Sequence, residues 1–390
     1  MLKIIYMEVF VLNIAEIIGR NLKEIQKEYD YNQKELGEII GVTRQTMAKY
    51  INGERILDSD KLYKLAKHFN KSFDYFLSLN ESKQVAFMFR ADDPANNFNK
   101  GLKKQISERF NLYHDIIELS ELPIKDYIPE EYNLDIKGKK LSFKEKHAIA
   151  KIAEKQRRYM GINDAISTNI FSLFEENNIN VIAEKMDKLT LDAVSAYSQN
   201  KGAYVFINDN ENIPEERKIF SLVHELGHLL LHRDEYGKDW DNLKYTNSRI
   251  KDIREKAADY FAMNFLIPPK VLDNFAYYFD GYVDLDLIID KKKEFGVSAK
   301  CLIMALNENG MIERSTLGFL YKKLRENGFE KQEPEPIAYL QKNEKLFALT
   351  KKLLIQGKLT TNKAAEILDI SLKEMRELLK RWKNFEYKKN

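Results

Sequence analysis

The sequence predicts an α+β fold that is mostly helical. The first 80 residues alternate helical apolar spacing with short turns, which is typical of a bundle of small helices. An apolar run of helical period at residues 221–232 contains the pattern H-E-x-x-H, and further amphipathic helices are predicted at residues 143–160, 295–306 and 357–382. With 390 residues, 44% of them hydrophobic and 32% charged, the chain is long enough for two or three globular domains.

A helix, a glycine turn and a second helix are predicted over residues 32–53, which end at Asn52-Gly53. The apolar residues that can form a compact core here are Leu36, Ile39, Ile40, Val42, Met47 and Ile51. The residues left on the outer face of the second helix are Thr43, Arg44, Gln45, Thr46 and Lys49. Asp58-Ser59-Asp60 then caps a helix over Lys61–Phe69, and a last helical turn follows at Ser72–Leu77.

Over residues 15–79 this five-helix pattern resembles the XRE/Cro-type helix-turn-helix domain. The resemblance implies that the second helix enters the major groove of double-stranded DNA. Gln45 suits adenine, Arg44 suits guanine or a phosphate, and Gln33 is placed for a phosphate. The alternative is a helical hairpin without a DNA role. Residues 1–80 carry a net charge of only +1, so we expect a homodimer on two half-sites of the operator.

The H-E-x-x-H pattern predicts a zinc site. His224 and His228 lie one helical turn apart on one face, so both imidazoles can reach a single Zn²⁺. Glu225 lies beside them and can act as a base toward water. The alternative is a pair of ordinary histidines in a packed helix. His232 lies about 12 Å beyond His224 along an unbroken helix, so we predict a core or supporting role for it.

A third ligand is predicted on the next helical segment, residues 248–262, which is followed by Pro268-Pro269. Glu255 and Asp259 are four residues apart and therefore share a face. One carboxylate can complete a His₂Glu site, while the other accepts the N–H of a ligating histidine and fixes its tautomer. We assign Glu255 to the first role and Asp259 to the second; the alternative is a solvated helix face. Small residues such as Ala258 allow the two helices to approach closely.

These residues resemble the ImmA/IrrE family of zinc metallopeptidases over about residues 160–270. The shared pattern is H-E-L-G-H, then Glu255-x-x-Ala258-Asp259, then Leu266-Ile267-Pro268. Ala257 departs from the pattern, since many members carry glutamate there, but Glu255 keeps the ligand position. The resemblance implies a zincin-like domain that cleaves a specific protein, such as a DNA-bound repressor or an operon partner. It also implies a setting in phage, mobile-element, toxin–antitoxin or stress regulation.

The resemblance supplies the β part of the fold. It implies strands at Ile179–Ile182, Ala193–Ala196 and Tyr204–Asn208 before the motif helix, and a short strand within Val85–Ala91. We expect Tyr204–Asn208 to be an exposed strand to which an extended substrate adds by backbone hydrogen bonds. Tethered helices on either side could also cover the cleft, so we expect the peptidase to be latent as isolated. Candidates for stabilising the oxyanion are Tyr236, Tyr245 and Tyr260.

The predicted domains are a DNA-binding domain at residues 1–80, a helical connector at 81–160, the peptidase at 161–270 and a helical region at 271–390. The last of these contains a hairpin like a second helix-turn-helix. Residues 351–390 hold eleven basic and five acidic side chains, so a second nucleic-acid contact is an alternative to a solvated hairpin, which we favour.

Composition bounds the function. The single cysteine, Cys301, excludes a disulfide framework and indicates a reducing cytoplasm. The apolar start, Met1–Leu12, is too short to span a membrane. We therefore predict a cytoplasmic DNA-binding regulator that holds one Zn²⁺ per chain and is a zinc endopeptidase. The alternatives are a non-proteolytic repressor or antitoxin whose zinc domain is a sensor or interaction module, and a protein that cleaves its own chain.

Overall fold

The computed structural model divides into two compact units, Met1–Lys83 and Gln84–Asn390. The predicted connector, peptidase and C-terminal regions, at residues 81–160, 161–270 and 271–390, lie almost wholly in the second unit. The residues that the structure describes are 14–29, 31–69, 71, 73–77, 86–89, 100–121, 130–134, 136, 138–166, 168–187, 191–198, 201–233, 253–329 and 332–387.

The first unit is the predicted bundle of five helices. They are α1 (Ile14–Tyr29), α2 (Gln33–Ile40), α3 (Arg44–Ile51), α4 (Ser59–Phe69) and α5 (Phe73–Leu77). Asn32 begins α2 with a capping box, and Gly41 ends it in the left-handed region at φ 72°. A Cβ on Gly19 would lie 2.6 Å from the carbonyl oxygen of Ile51, so only glycine lets α1 pack this closely on α3. Most of the predicted core is buried, although Ile39 and Val42 are only partly so.

A four-stranded sheet lies at the centre of the second unit. Its strands are β1 (Ala86–Phe89), β2 (Ile179–Glu184), β3 (Ala193–Ser198) and β4 (Gly202–Asn208), in the order β1-β3-β4-β2. β3 and β4 are antiparallel, β2 is parallel to β4, and β1 pairs antiparallel with β3. The expectation of an exposed strand at Tyr204–Asn208 is therefore wrong, because β4 is bonded on both edges.

Twelve helices are described around this sheet. They are α6 (Lys100–Leu119), α7 (Phe143–Tyr159), α8 (Ile170–Glu176), α9 (Glu215–Leu231), α10 (Ile253–Leu266), α11 (Pro269–Asp273), α12 (Leu285–Phe295), α13 (Ala299–Glu308), α14 (Arg314–Glu326), α15 (Glu344–Ile355), α16 (Thr361–Ile367) and α17 (Leu372–Tyr387). The side chains of β4 alternate between two cores, as a strand buried on both faces requires. Val205 and Ile207 pack with α7 to α10, while Tyr204 and Phe206 pack with α6 and α15. No helix in the described part of the chain is long and apolar enough to cross a membrane.

Residues 333–345, which we call the C-terminal strap, tie the later helices to the sheet. The Asn343 side chain accepts from the Ala183 N–H and donates to the Ala183 carbonyl, both at 2.8 Å, on the outer edge of β2. The backbone N–H groups of Ile337 and Leu340 donate to Glu216 and Glu215 at the start of α9. The strap thus satisfies polar groups of a distant part of the chain.

Candidate metal centre and nucleic-acid interface

Helix α9 carries the H-E-x-x-H motif through the core of the second unit. Pro214 precedes its first turn, where Glu215 and Glu216 lie close to the positive end of the helix dipole. Nearly all of the helix is buried, and the side chains of His224, Glu225 and His228 are 0% exposed. A buried helix of this kind fixes the direction of each motif side chain by packing.

Three side chains from α9 and α10 meet at one point. The Nε2 atoms of His224 and His228 lie 3.0 Å apart, and the two oxygens of Glu255 lie 3.3 and 3.2 Å from them, respectively. Among the described residues this is the one group of three such side chains close enough to hold a metal ion.

The spacing fits zinc. Tetrahedral ligands about 2.0–2.1 Å from the metal lie about 3.3 Å from one another, close to the distances between these atoms. Glu255 Oε2 is buried and has no hydrogen-bonding partner, which a cation at this point would supply.

The other ring nitrogens of both histidines are also engaged. His224 Nδ1 lies 2.8 Å from Asp259 Oδ1, and His228 Nδ1 lies 3.0 Å from His232 Nδ1. These contacts hold the Nε2 atoms toward Glu255. His232 supports His228, and it lies outside the three-residue group. Burial lowers the pKa of His232 well below its usual range, and the charge of His228 lowers it further.

Electrostatics favours positive charge at this point. Burial by itself would raise the pKa of Glu255, but the two imidazoles outweigh it and lower that pKa. Burial likewise opposes protonation of His224, yet its contact with Asp259 and the nearby carboxylate of Glu255 raise its pKa to about 9. The carboxylates therefore stabilise a cation where the two Nε2 atoms meet.

Glu225 occupies the position of a base beside this group. Its Oε2 accepts a hydrogen bond from the hydroxyl of Ser195 on β3, and its Oε1 is buried without a hydrogen-bonding partner. Ser195 is also fully buried. Ser195 is not among the residues that the sequence predicts for the site; the available signal is a polar residue in a strand of small and apolar residues.

Close packing of α9 and α10 brings the ligands together. A Cβ on Gly227 would lie 3.1 Å from Phe261 Cδ1 and 3.2 Å from Ala258 Cα, which is tighter than ordinary contact. Ala257, Ala258 and Ala262 are each 0% exposed, so small residues occupy this crossing as expected. Glu255 is thereby held opposite the two histidines.

The tyrosines proposed for the oxyanion divide into two groups. Tyr236 and Tyr245 lie outside the described residues. Tyr260 lies on α10, and Lys146 Nζ of α7 is 5.3 Å from the centre of its ring. Burial raises the pKa of Tyr260, and the nearby Glu308 carboxylate raises it further. Lys146 lies on α7 and Glu308 on α13, so Tyr260 lies on the side of α10 that faces these two helices.

The predicted DNA-contacting residues lie together at the start of α3. Arg44, Gln45 and Lys49 are exposed. Thr43 begins the helix by accepting from the Thr46 N–H, and its hydroxyl lies 3.0 Å from that of Thr46. The two threonine hydroxyls are therefore partly used in capping.

Gln33 occupies the first turn of α2 and is partly exposed. It remains available to contact a phosphate, as the sequence analysis expects.

Comparison with known families assigns both regions. Residues 22–76 match the family model described as Helix-turn-helix, and residues 174–307 match that of the IrrE N-terminal-like domain in the M78 peptidase group. These matches confirm the two resemblances found in the sequence.

Individual relatives match over shorter segments. The HTH-type transcriptional regulator ImmR of Bacillus subtilis is 34% identical over 64 residues, 16% of this chain and 50% of that protein. Antitoxin PezA of Streptococcus pneumoniae is 30% identical over 57 residues, 15% of this chain and 36% of that protein. The putative HTH-type transcriptional regulatory protein PF1851 of Pyrococcus furiosus is 24% identical over 118 residues, 30% of this chain and 36% of that protein. The chain thus spans about a third to a half of these relatives.

Among solved structures, the apo form of ComR from S. thermophilus is 11% identical over 96% of this chain and 100% of that chain. Its TM-score is 0.15, which is too low to bear on the fold.

Proposed function

We propose that this chain, which joins a helix-turn-helix domain to an IrrE-like peptidase domain, is a transcriptional regulator that is also a zinc-dependent endopeptidase. The observation that carries the proposal is the meeting of His224, His228 and Glu255 beside Glu225. These side chains supply a His₂Glu ligand set and a buried base in one place.

The roles of the residues follow from their contacts. His224, His228 and Glu255 would hold one Zn²⁺, while Asp259 and His232 orient the two imidazoles. When bound, zinc acts as a Lewis acid that polarises a peptide carbonyl and promotes the ionisation of water. Glu225 Oε1 takes the proton from the attacking water and returns it to the departing amine. Ser195 holds the other oxygen of Glu225 and so directs Oε1.

We further propose that the substrate is a specific protein, such as a repressor or an operon partner. Two of the relatives are named as transcriptional regulators and one as an antitoxin, which supports a setting in gene regulation.

The relative named as an antitoxin also favours a second candidate, a repressor or antitoxin whose zinc domain is a sensor and cleaves nothing. The two candidates differ in whether Glu225 is needed for regulation.

Strand β1 supports a latent peptidase. In the β1–β3 pair Met88 lies opposite Ser195, whose hydroxyl contacts Glu225. Paired strands lie about 4.8 Å apart, so the backbone of β1 runs beside the strand whose Ser195 hydroxyl contacts the catalytic carboxylate. An extended substrate that adds to β3 needs the same edge. The chain's own strand therefore blocks substrate until it is displaced.

Replacing Ala86–Phe89 by Gly-Ser-Gly-Ser is expected to raise cleavage of unfolded casein by about tenfold or more. The flexible sequence pairs less well, and a loss of about 1.4 kcal/mol in pairing shifts the occupancy of the edge tenfold. Cleavage is followed by gel electrophoresis with zinc present, and Glu225→Gln in the same background is the control. Rapid cleavage of casein by the wild type, or an unchanged rate in the variant, would contradict latency.

Operator binding tests the regulator half of the proposal. Arg44→Ala and Gln45→Ala are each expected to weaken binding to the protein's own promoter by about 1–3 kcal/mol, because each removes one proposed contact, with a base for Gln45 and with a base or a phosphate for Arg44. Zinc content should not change. Lys67→Ala, an exposed cation of α4, serves as the control and should have little effect.

Unchanged affinity in both α3 variants would show that α3 does not contact the operator. We propose a homodimer, because one module of low net charge binds DNA weakly and the binding free energies of two half-sites add.

A further inference from the structure

The C-terminal hairpin formed by α16 and α17 has the same turn geometry as α2 and α3. Asn32 and Thr360 begin the first helix of each pair, and both side chains cap it. Nine residues after each cap comes a residue in the left-handed region, Gly41 at φ 72° and Asp369 at φ 51°. The two hairpins therefore share the position of the cap and of the turn.

The correspondence continues into the second helix. Thr43 caps α3, and Ser371 caps α17 two residues after the left-handed residue in each case. Met47 and Met375, at the same relative position, are each 0% exposed.

The backbone hydrogen bonds of the two turns agree as well. The Val42 N–H donates to Gly37 at 2.9 Å, and the Ile370 N–H donates to Ala365 at 3.0 Å. A small buried residue thus stands at the same point of both first helices. Two helices joined in this way present the outer face of the second one to solvent.

The hairpin is firmly held on its inner side. Leu354, Ala364, Ala365, Met375 and Trp382 form a small core of their own. Arg109 of α6 donates to the carbonyls of Glu366 and Ile367 at 3.0 and 2.8 Å, which fixes the end of α16. Helix α17 is therefore held on its inner side by this core and by α16.

The outer face of α17 is basic. Among the side chains that the structure describes, its exposed cations are Lys373, Arg376, Lys380 and Arg381, against the exposed acids Glu374 and Glu377. None of these cations forms a salt bridge with a residue that the structure describes. Lys373, Arg376 and Lys380 follow the spacing of one helical stripe. Glu374 is engaged by Ser371, whose hydrogen bonds lower its pKa.

We infer that α16 and α17 form a second helix-turn-helix and that the basic face of α17 binds double-stranded DNA. Lys373 stands where Gln45 stands in the first hairpin, at a position that contacts DNA in this architecture. Three or four unpaired cations on one face match the phosphates of a duplex. Binding of DNA by α17 does not require the peptidase. The shared turn geometry favours a DNA contact over the solvated hairpin that we prefer from the charge count alone.

Charge reversal on α17 tests the inference in the full-length protein. The variant Lys373→Glu/Arg376→Glu/Lys380→Glu is compared with Lys151→Glu/Lys270→Glu/Lys300→Glu, which changes the net charge equally at exposed sites elsewhere. The probe is a random-sequence duplex of roughly 40 base pairs, about four helical turns, and fluorescence anisotropy measures binding at several salt concentrations. Zinc content and melting temperature verify that both variants are folded.

We expect the α17 variant to bind at least about tenfold more weakly and to lose about two to three from the slope of log affinity against log salt, at about 0.9 per phosphate contact. The control variant should change by less than about threefold. Equal losses in both variants would mean a general charge effect and would overturn the inference. Unchanged binding by the α17 variant would overturn it too.

Discussion

Glu225→Gln is expected to retain zinc and to lose cleavage of the protein substrate by about 10²–10⁴-fold. Glutamine keeps the size of the side chain and can still accept the hydrogen bond from Ser195, so the helix should pack unchanged. It cannot take a proton from water. Metal analysis and a cleavage assay on the same preparation separate the two effects, with Glu211→Gln, an exposed change, as the control.

The ligand variants should lose zinc, which Glu225→Gln retains. His224→Ala, His228→Ala and Glu255→Ala each remove an atom from the group of three and should lose the single equivalent of zinc. Asp259→Asn should keep a weaker site, by about 10–100-fold, because it disturbs only the orientation of His224.

Three results would contradict parts of the proposal. Wild type holding less than about a tenth of an equivalent of zinc in zinc-supplied cultures would remove the metal site. Full retention of zinc by Glu255→Ala would assign the third ligand to another residue. Regulation that survives Glu225→Gln would favour the non-proteolytic regulator.

Lys292→Met is expected to destabilise the protein by about 3–5 kcal/mol, the cost of leaving a buried charge unpaired. Lys292 and Glu216 are both 0% exposed, and Nζ lies 2.7 Å from Glu216 Oε1. Nζ also lies 3.3 Å from Glu333 and 3.2 Å from the Glu335 carbonyl, both in the C-terminal strap. Methionine fills the space but leaves Glu216 without its cation.

Thermal unfolding should show this loss as a drop of roughly 5–8 °C in the melting temperature. The neighbouring Lys293 is the matched control, since its ion pair with Glu335 is 44% and 64% exposed and should contribute less than about 1 kcal/mol. Adding Glu216→Gln to Lys292→Met should restore part of the stability. Equal melting temperatures for Lys292→Met and Lys293→Met would contradict the role of the buried pair.

Local spacing explains why so much of the site is predictable. Histidines four residues apart lie on one face of any helix, and Glu255 and Asp259 obey the same rule on the next helix. The five helices of the first unit follow from caps and turn residues in the same way, as at Asn32 and Gly41.

Contacts between distant segments are what the sequence does not reveal. The contact of Ser195 with Glu225 joins a strand to a helix, and the sequence near either residue does not indicate it. Strand order is equally hidden, because the pattern of Tyr204–Asn208 is the same for a central strand as for an edge strand. The contacts of the C-terminal strap cannot be predicted for the same reason, since its partners Glu215 and Glu216 lie more than 120 residues earlier in the chain.

The distance along the chain between α9 and the strap sets an order of events during synthesis. Glu215 meets Lys342 127 residues later, and Glu216 meets Ile337 121 residues later. The first unit ends at Lys83 and can fold while the ribosome is still making the rest, since domains fold from the N-terminus as they emerge. The first turn of α9 receives these buried partners only when translation is nearly complete. A growing chain therefore acquires the fold of its first unit well before the second unit can be completed.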